Sequence, residues 1–219
     1  MVLESLTSPQ RAEKSPWDLL FIGALYAAVA LFLSVWVFRE EASLVMVLLT
    51  VMVSIPLVFN TMKYEEKKDH FLVQEKALLK EHSKALSFFM FLFVGFVLAF
   101  SLAYILLPHE LVQDVFNSQL QTIQSINSRA IDDVSGSAVG GWGLFLQILA
   151  NNLKVMLFAF FFSFFYGAGA IFILTWNASV ISAAIGTFFR NNIAEVANGL
   201  GLSSVAGYFQ VYSLSLLRY

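Results

Sequence analysis

The chain contains no cysteine among its 219 residues, which removes disulfides, thiolate metal sites, cysteine nucleophiles and iron–sulfur clusters at once. With only three histidines, metal chemistry has few ligands to draw on. Charge is scarce as well: 13 basic and 15 acidic residues make up 13% of the chain, where a soluble domain carries about 25%. So few charges cannot furnish a polar exterior. The net charge of −2 supplies no basic field, so nucleic acid is excluded as a partner. Catalytic patterns are missing too. His109-Glu110 opens like a zinc-binding H-E-x-x-H helix, but Gln113 stands where the second histidine belongs. There is no G-x-S-x-G elbow and no phosphate-binding G-x-x-x-x-G-K loop, and no pair of acids lies within an apolar run. The expectation is a protein that is not an enzyme and holds no metal or cofactor.

What is present is apolar: 58% of the residues are hydrophobic, with 23 phenylalanines against 4 prolines. Such a chain belongs in a bilayer. Residues 17–38 form an apolar run that spans about 33 Å as a helix, enough for a hydrocarbon core of roughly 30 Å. It continues past Ala28-Val29-Ala30, where a cleaved signal peptide would turn polar, and so reads as an uncleaved anchor. After the polar break Arg39-Glu40-Glu41, a second span covers 42–59 and closes an antiparallel hairpin, with Pro56 expected to kink or end it. Residues 60–84 invert the composition, with six lysines and five acids but neither glycine nor proline. This linker reads as a helix running unbroken into a third span, 85–107. Lys76, Lys80 and Lys84 share one of its faces, where they either touch anionic headgroups or are simply solvated.

Pro108 ends the third span. The stretch 108–152 then opens with an amphipathic helix carrying Val112, Phe116, Leu120, Ile123 and Ile126 along one stripe. A glycine-rich break at 136–143 follows, with Trp142 as an interfacial anchor. A fourth span is expected at 153–174, then two short apolar helices at 178–189 and 203–217. The fold class is therefore all-α, a polytopic bundle of four spans with short C-terminal membrane-associated helices. Three units follow: an anchor hairpin (1–59), a charged helix (60–84) and a membrane domain (85–219). The lysine-rich linker sets the orientation, placing it and the N-terminus in the cytoplasm and the 108–152 segment outside. The partners this composition admits are the lipid bilayer, other membrane or envelope proteins, and a second copy of the chain.

The candidate site is the small and polar content around the fourth span. Asn151-Asn152 open it, Gly167 and Gly169 notch it, Asn177 ends it, and Ser179, Ser182, Ala183 and Gly186 line one helical face. Close helix packing is the ordinary use of such a face. The competing use is a broken-helix solute path, although no acid or base other than Lys154 lies between Leu153 and Phe189. The run from Gln147 through Asn151-Asn152 to Phe158, then Gly167-Ala-Gly169, then Thr175-Trp-Asn177, resembles the SpoIIM family of membrane proteins over about residues 85–202. Ala178 stands where the family commonly has glycine, and the family's later helix, opening with His-Gly, does not follow. The resemblance implies a multi-span, non-enzymatic membrane protein. Its namesake looks like an anchor assembling peptidoglycan-degrading partners, but relatives also occur where no spores form.

Overall fold

The computed structural model describes residues 16–69, 75–136, 145–146, 149–150, 152–154, 156–157 and 168–209. Among them there is no strand. The elements are α1 (Pro16–Val37), a 3-10 turn (Arg39–Glu41), α2 (Ala42–Asp69), α3 (Glu75–Leu106), α4 (His109–Gly136), α5 (Ala168–Gly199) and α6 (Ser203–Phe209). Four stretches are long and apolar enough to cross a membrane: Trp17–Val37, Arg39–Tyr64, Leu86–Leu106 and Gly169–Gly199. The first three agree closely with the spans read from the sequence.

The fourth does not. The last turns of the span expected at 153–174, the break at 175–177 and the short helix at 178–189 form one unbroken helix, α5, while most of 155–167 lies outside the described residues. Thr175-Trp176-Asn177 look like a stop but contain neither glycine nor proline, and the helix absorbs their polarity. Asn177 donates to the carbonyl of Ile173 at 2.8 Å and Asn192 to that of Phe188 at 2.7 Å. A polar side chain bonded to its own preceding turn leaves less for an apolar environment to reject. Pro56 does not end its helix either, since α2 continues through it to Asp69. Breaking a helix there would strand several backbone groups in an apolar setting, whereas the missing proline N–H strands one.

α1 and α3 run in the same direction, with Trp17 edge-on to Phe91 (ring centroids 5.1 Å apart) and Ala24 beside Gly95. They meet at two glycines. A Cβ on Gly23 would lie 2.7 Å from the Leu92 carbonyl oxygen, and one on Gly95 would meet the Leu20 carbonyl and lie 2.9 Å from the Ala24 nitrogen. Backbone is thus packed on backbone, with Leu19, Leu92 and Phe96 filling the core around the crossing. Phe21, Leu25, Val29, Phe32 and Trp36 form the outer face of α1, as a lipid-facing helix requires.

α5 also runs parallel to α3: Ser182 bonds the Val97 carbonyl, Thr187 the Tyr104 hydroxyl, and Arg190 the Leu107 carbonyl. Its C-terminal end therefore lies on the same side as the Arg39–Glu41 turn. α4 starts there as well, where Asp114 pairs with Arg39 at 2.9 Å, and then folds back against the bundle. The amphipathic helix expected at this position is present, but its first half is a core element: Val112, Val115, Phe116 and Gln119 are fully buried. Non-helical angles at Phe116 (φ −116°, ψ 16°) kink α4, and past that point Gln119 faces inward while Ile126 faces outward.

Candidate functional site: a capped helix end and a polar seam

Pro108 stops α3, and a helix end leaves four carbonyls without an intrahelical partner. The last helical bond runs from the Leu107 amide to Ala103, so the orphans are Tyr104, Ile105, Leu106 and Leu107. All four are met from elsewhere in the fold. Arg190 Nη1 donates to Tyr104, Ile105 and Leu107 at 3.1, 3.3 and 2.8 Å, and the Tyr208 hydroxyl donates to Leu106 at 2.6 Å. Arg190 Nη2 reaches the Tyr208 carbonyl at 2.6 Å. Its guanidinium also sits over the rings of Tyr208 and Phe209, 5.7 and 5.6 Å from their centroids. The residue is 0% exposed. Among the described residues its charge is met by carbonyl dipoles and ring faces rather than by a carboxylate. A cation at a helix C-terminus is the favourable sign of charge for the macrodipole.

Three local features bring these groups together. Gly186 lets α3 and α5 approach, since a Cβ there would collide with the Tyr104 ring and lie 2.7 Å from its Cβ. Tyr104, wedged against Phe116 of α4 at 5.0 Å, bonds Thr187 through its hydroxyl at 2.8 Å. Gly201, at φ 74°, closes α5 in a turn where the Leu202 amide bonds Ala197 and the Gly201 amide bonds Asn198. This left-handed cap reverses the chain so that α6 returns Tyr208 to the end of α3.

A second polar group lies deeper. The Ser43 hydroxyl donates to Gln119 Oε1 at 2.8 Å and accepts the Ser118 amide at 3.1 Å. Gln119 Nε2 donates to Ser179 at 3.1 Å, and Ser179 to the Trp176 carbonyl at 2.8 Å. One side chain from α4 thus ties α2 to α5. One turn on, Ser182 bonds both Val97 and Ala178.

Of the residues singled out in the sequence, Ser182 and Gly186 sit at the α3–α5 contact as packing residues. Gly169 is half-buried near the start of α5, and Asn177 is bonded within its own helix rather than ending a span. Asn152 lies in an exposed helical stretch and Lys84 is half-buried. Asn151, Gly167 and Trp142 lie outside the described residues, as do the side chains of Lys76 and Lys80. Among the described residues, Asn177 bonds only to its own helix and Ser182 and Gly186 share the α3–α5 contact. Arg190 was missed because Arg190-Asn191-Asn192 reads as the polar end of a short helix. The signal was available: the buried stripe Ser179, Ser182, Ala183, Gly186 continues at helical spacing through Arg190, Ala194 and Ala197.

The membrane core formed by α3 to α6 is also the region that a known family describes. The model for stage II sporulation protein M (SpoIIM) matches residues 85–211, more than half of the chain. The chain belongs to the SpoIIM family. With four apolar helices, it is a multi-pass membrane protein. No curated protein and no solved structure matches it. The family's matched region opens at the start of the third span and ends just beyond α6, so it takes in Tyr104, Ser179, Arg190 and Tyr208 and leaves out the α1–α2 hairpin.

Proposed function

We propose that this SpoIIM-family protein is a non-enzymatic scaffold of the cell membrane that holds partner proteins in place. The observation that carries the reading is the continuity of helix between the bundle and its charged ends. α2 runs five residues beyond its apolar stretch and α3 begins eleven residues before its own, so about 7 and 16 Å of helix extend past the spans. A surface joined to the core by unbroken helix transmits position, which is what a docking platform needs. The intramembrane polar groups support the same reading: Ser43, Gln119, Ser179, Ser182 and Arg190 bond one helix to another. In this reading the lysine-rich 60–84 segment and the N-terminus are cytoplasmic, and the Arg39–Glu41 turn and the Arg190 cap lie on the outer side.

The rival is a component of a transporter or channel. It has one observation in its favour: the hydroxyls of Ser101 and Thr175 are buried without a hydrogen-bond partner, as groups lining a hydrated path would be. Crosslinking in native membranes separates the two. The scaffold predicts recovery of specific membrane or envelope proteins and no solute flux in reconstituted vesicles. Recovery of lipid alone, together with flux lost on Thr175→Val, would reverse the choice. Orientation is tested with Ser83→Cys, which an impermeant thiol reagent should leave unlabelled in intact cells.

A further inference from the structure

Arg190 has an edge that the helix cap does not use. A guanidinium carries five N–H groups, and in Arg190 those on Nη1 are taken up by the carbonyls of Tyr104, Ile105 and Leu107. Nε and Nη2 share the other edge, the side-on fork that matches two oxygens of a carboxylate or a phosphate. Among the described residues that fork meets a single acceptor, the Tyr208 carbonyl, 2.6 Å from Nη2. Nε is buried with no hydrogen-bond partner. A buried donor on a charged group is costly to leave unmade, and no acid among the described residues pairs with this cation.

The level of Arg190 narrows the ligand. The apolar stretches of α1 and α3 end at Val37 and Leu106, each followed closely by ionisable residues, Arg39-Glu40-Glu41 and His109-Glu110. Arg190 bonds the last carbonyls of the second stretch. α5 gives the same level independently: Arg190 stands twenty-one residues beyond Gly169, where the apolar stretch of α5 starts, about 32 Å of helix against a hydrocarbon core of roughly 30 Å. That is the depth of headgroup phosphates. Leu106, Phe188 and Phe189 are exposed around it, an apolar flank suited to acyl chains.

We propose that the Nε–Nη2 edge of Arg190 binds a phosphate oxyanion, at this depth the headgroup of a membrane phospholipid, and that α6 is the latch the lipid displaces. In the structure the Tyr208 carbonyl stands where one phosphate oxygen would bind. The α3 carbonyls keep Nη1, so the end of α3 stays capped while the lipid replaces the α6 contact. α6 is able to give way. It is seven residues long, and Tyr208 ties it to the end of α3 through one bond from Arg190 and one to Leu106. The turn that joins it to α5 is uncrowded, since a Cβ on Gly199 or Gly201 would meet nothing within 4 Å. A scaffold and a transporter would use such a contact alike, so the inference stands apart from the choice between them.

The test uses the full chain in maltoside micelles, which carry no phosphate. Val205→Cys on α6 supplies the only thiol, since the native chain has none. Short-chain phosphatidylglycerol should raise its rate of maleimide labelling at least fivefold and saturably, whereas diacylglycerol of the same chain length, lacking the phosphate, should not. Tyr208→Phe keeps the backbone carbonyl but loses the bond to Leu106, so it loosens the latch without touching the fork. It should lower the half-maximal lipid concentration about two- to tenfold, the equivalent of one hydrogen bond, a shift that a purely structural role for Arg190 would not produce. Arg190→Lys should lose the lipid response, and the Tyr208→Phe shift decides the matter if that variant does not fold. The proposal is overturned by an unchanged labelling rate with phosphatidylglycerol, by an equal response to diacylglycerol, or by a Tyr208→Phe midpoint equal to that of the parent. An equal response to inorganic phosphate would overturn the lipid as the source of the oxyanion.

Discussion

Replacing Arg190 by methionine keeps much of the side-chain volume and removes the guanidinium donors at the end of α3, leaving only the Tyr208 hydroxyl on Leu106. Three carbonyls, those of Tyr104, Ile105 and Leu107, then lose their partner, and the Tyr208 carbonyl loses another. A buried polar group left unsatisfied costs about 1–3 kcal/mol. Against this, methionine removes the desolvation cost of a buried charge, which is several kcal/mol for a buried ion. The carbonyls nearest the end of the helix can also recover water once α6 lifts away. Balancing these terms gives a net loss of about 3–5 kcal/mol. Arg190→Lys separates charge from geometry. It keeps the cation that suits the helix dipole but has no planar fork to reach α3 and Tyr208 together, so it should recover about half of the loss.

Stability measured by denaturant titration of the purified protein in bicelles tests this directly. The cap also predicts where the damage appears: a cysteine at Val205 on α6 should become more reactive in Arg190→Met than in the wild type, while one at Leu25 on α1 should not change. Tyr208→Phe removes the remaining donor and should cost about 0.5–1.5 kcal/mol, as an ordinary hydrogen bond does. Because both variants open the same cap, the double variant should lose less than the sum of the two. The reasoning is refuted if Arg190→Met lies within 1 kcal/mol of the wild type, or if α6 reactivity is unchanged while stability falls.

The glycine crossing makes a sharper steric prediction. Gly23→Ala and Gly95→Ala should each cost about 1–3 kcal/mol by forcing α1 from α3, and the pair should again be sub-additive in the same titration. Gly201→Ala should lose about 1–2 kcal/mol because its left-handed φ penalises a Cβ, whereas Gly207→Ala, with open space around it, should gain about 0.5–1 kcal/mol from helix propensity. Gln119→Leu should cost roughly 1 kcal/mol, in line with interhelical hydrogen bonds in membranes. Its added effect should vanish when Ser43 and Ser179 are already alanine, as a thermodynamic cycle on the same titration would show.

The legible part of this fold was the part governed by composition. Three spans, the hairpin turn at 39–41, the unbroken helix from Glu75 into the third span and the stop at Pro108 all follow from apolar length and from residues that end helices. The continuation of helix through 175–177 and 190–192 is hidden in the sequence because polar residues there read as stops. Asn177 and Asn192 satisfy themselves on the preceding turn, so only glycine and proline are dependable breaks in such a chain. Long-range pairing stayed hidden for a different reason. Gly23 and Gly95 are isolated glycines in separate apolar runs, and nothing local says that they meet across two helices running the same way.

Arg190 shows how a wrong segmentation hides a site. Once 178–189 is treated as a short helix, Arg190 becomes its solvated end. Once α5 is continuous to Gly199, the same residue falls on the buried stripe one turn beyond Gly186, level with the open carbonyls behind Pro108. The small residues and the arginine are then parts of one arrangement. Gly186 brings the α3 terminus close, and Arg190 closes it. A charge in an apolar core is ordinarily a reason to look for a carboxylate or an ion path, but a helix end already presents a cluster of partial negative charge, and Pro108 fixes where that cluster lies. The absence of an acid between Leu153 and Phe189 is therefore compatible with a buried cation, because the counter-charge is supplied by backbone. For a bundle with so few ionisable groups this is a device for fixing one helix end against another, and that places Arg190 with the residues that hold the bundle's shape.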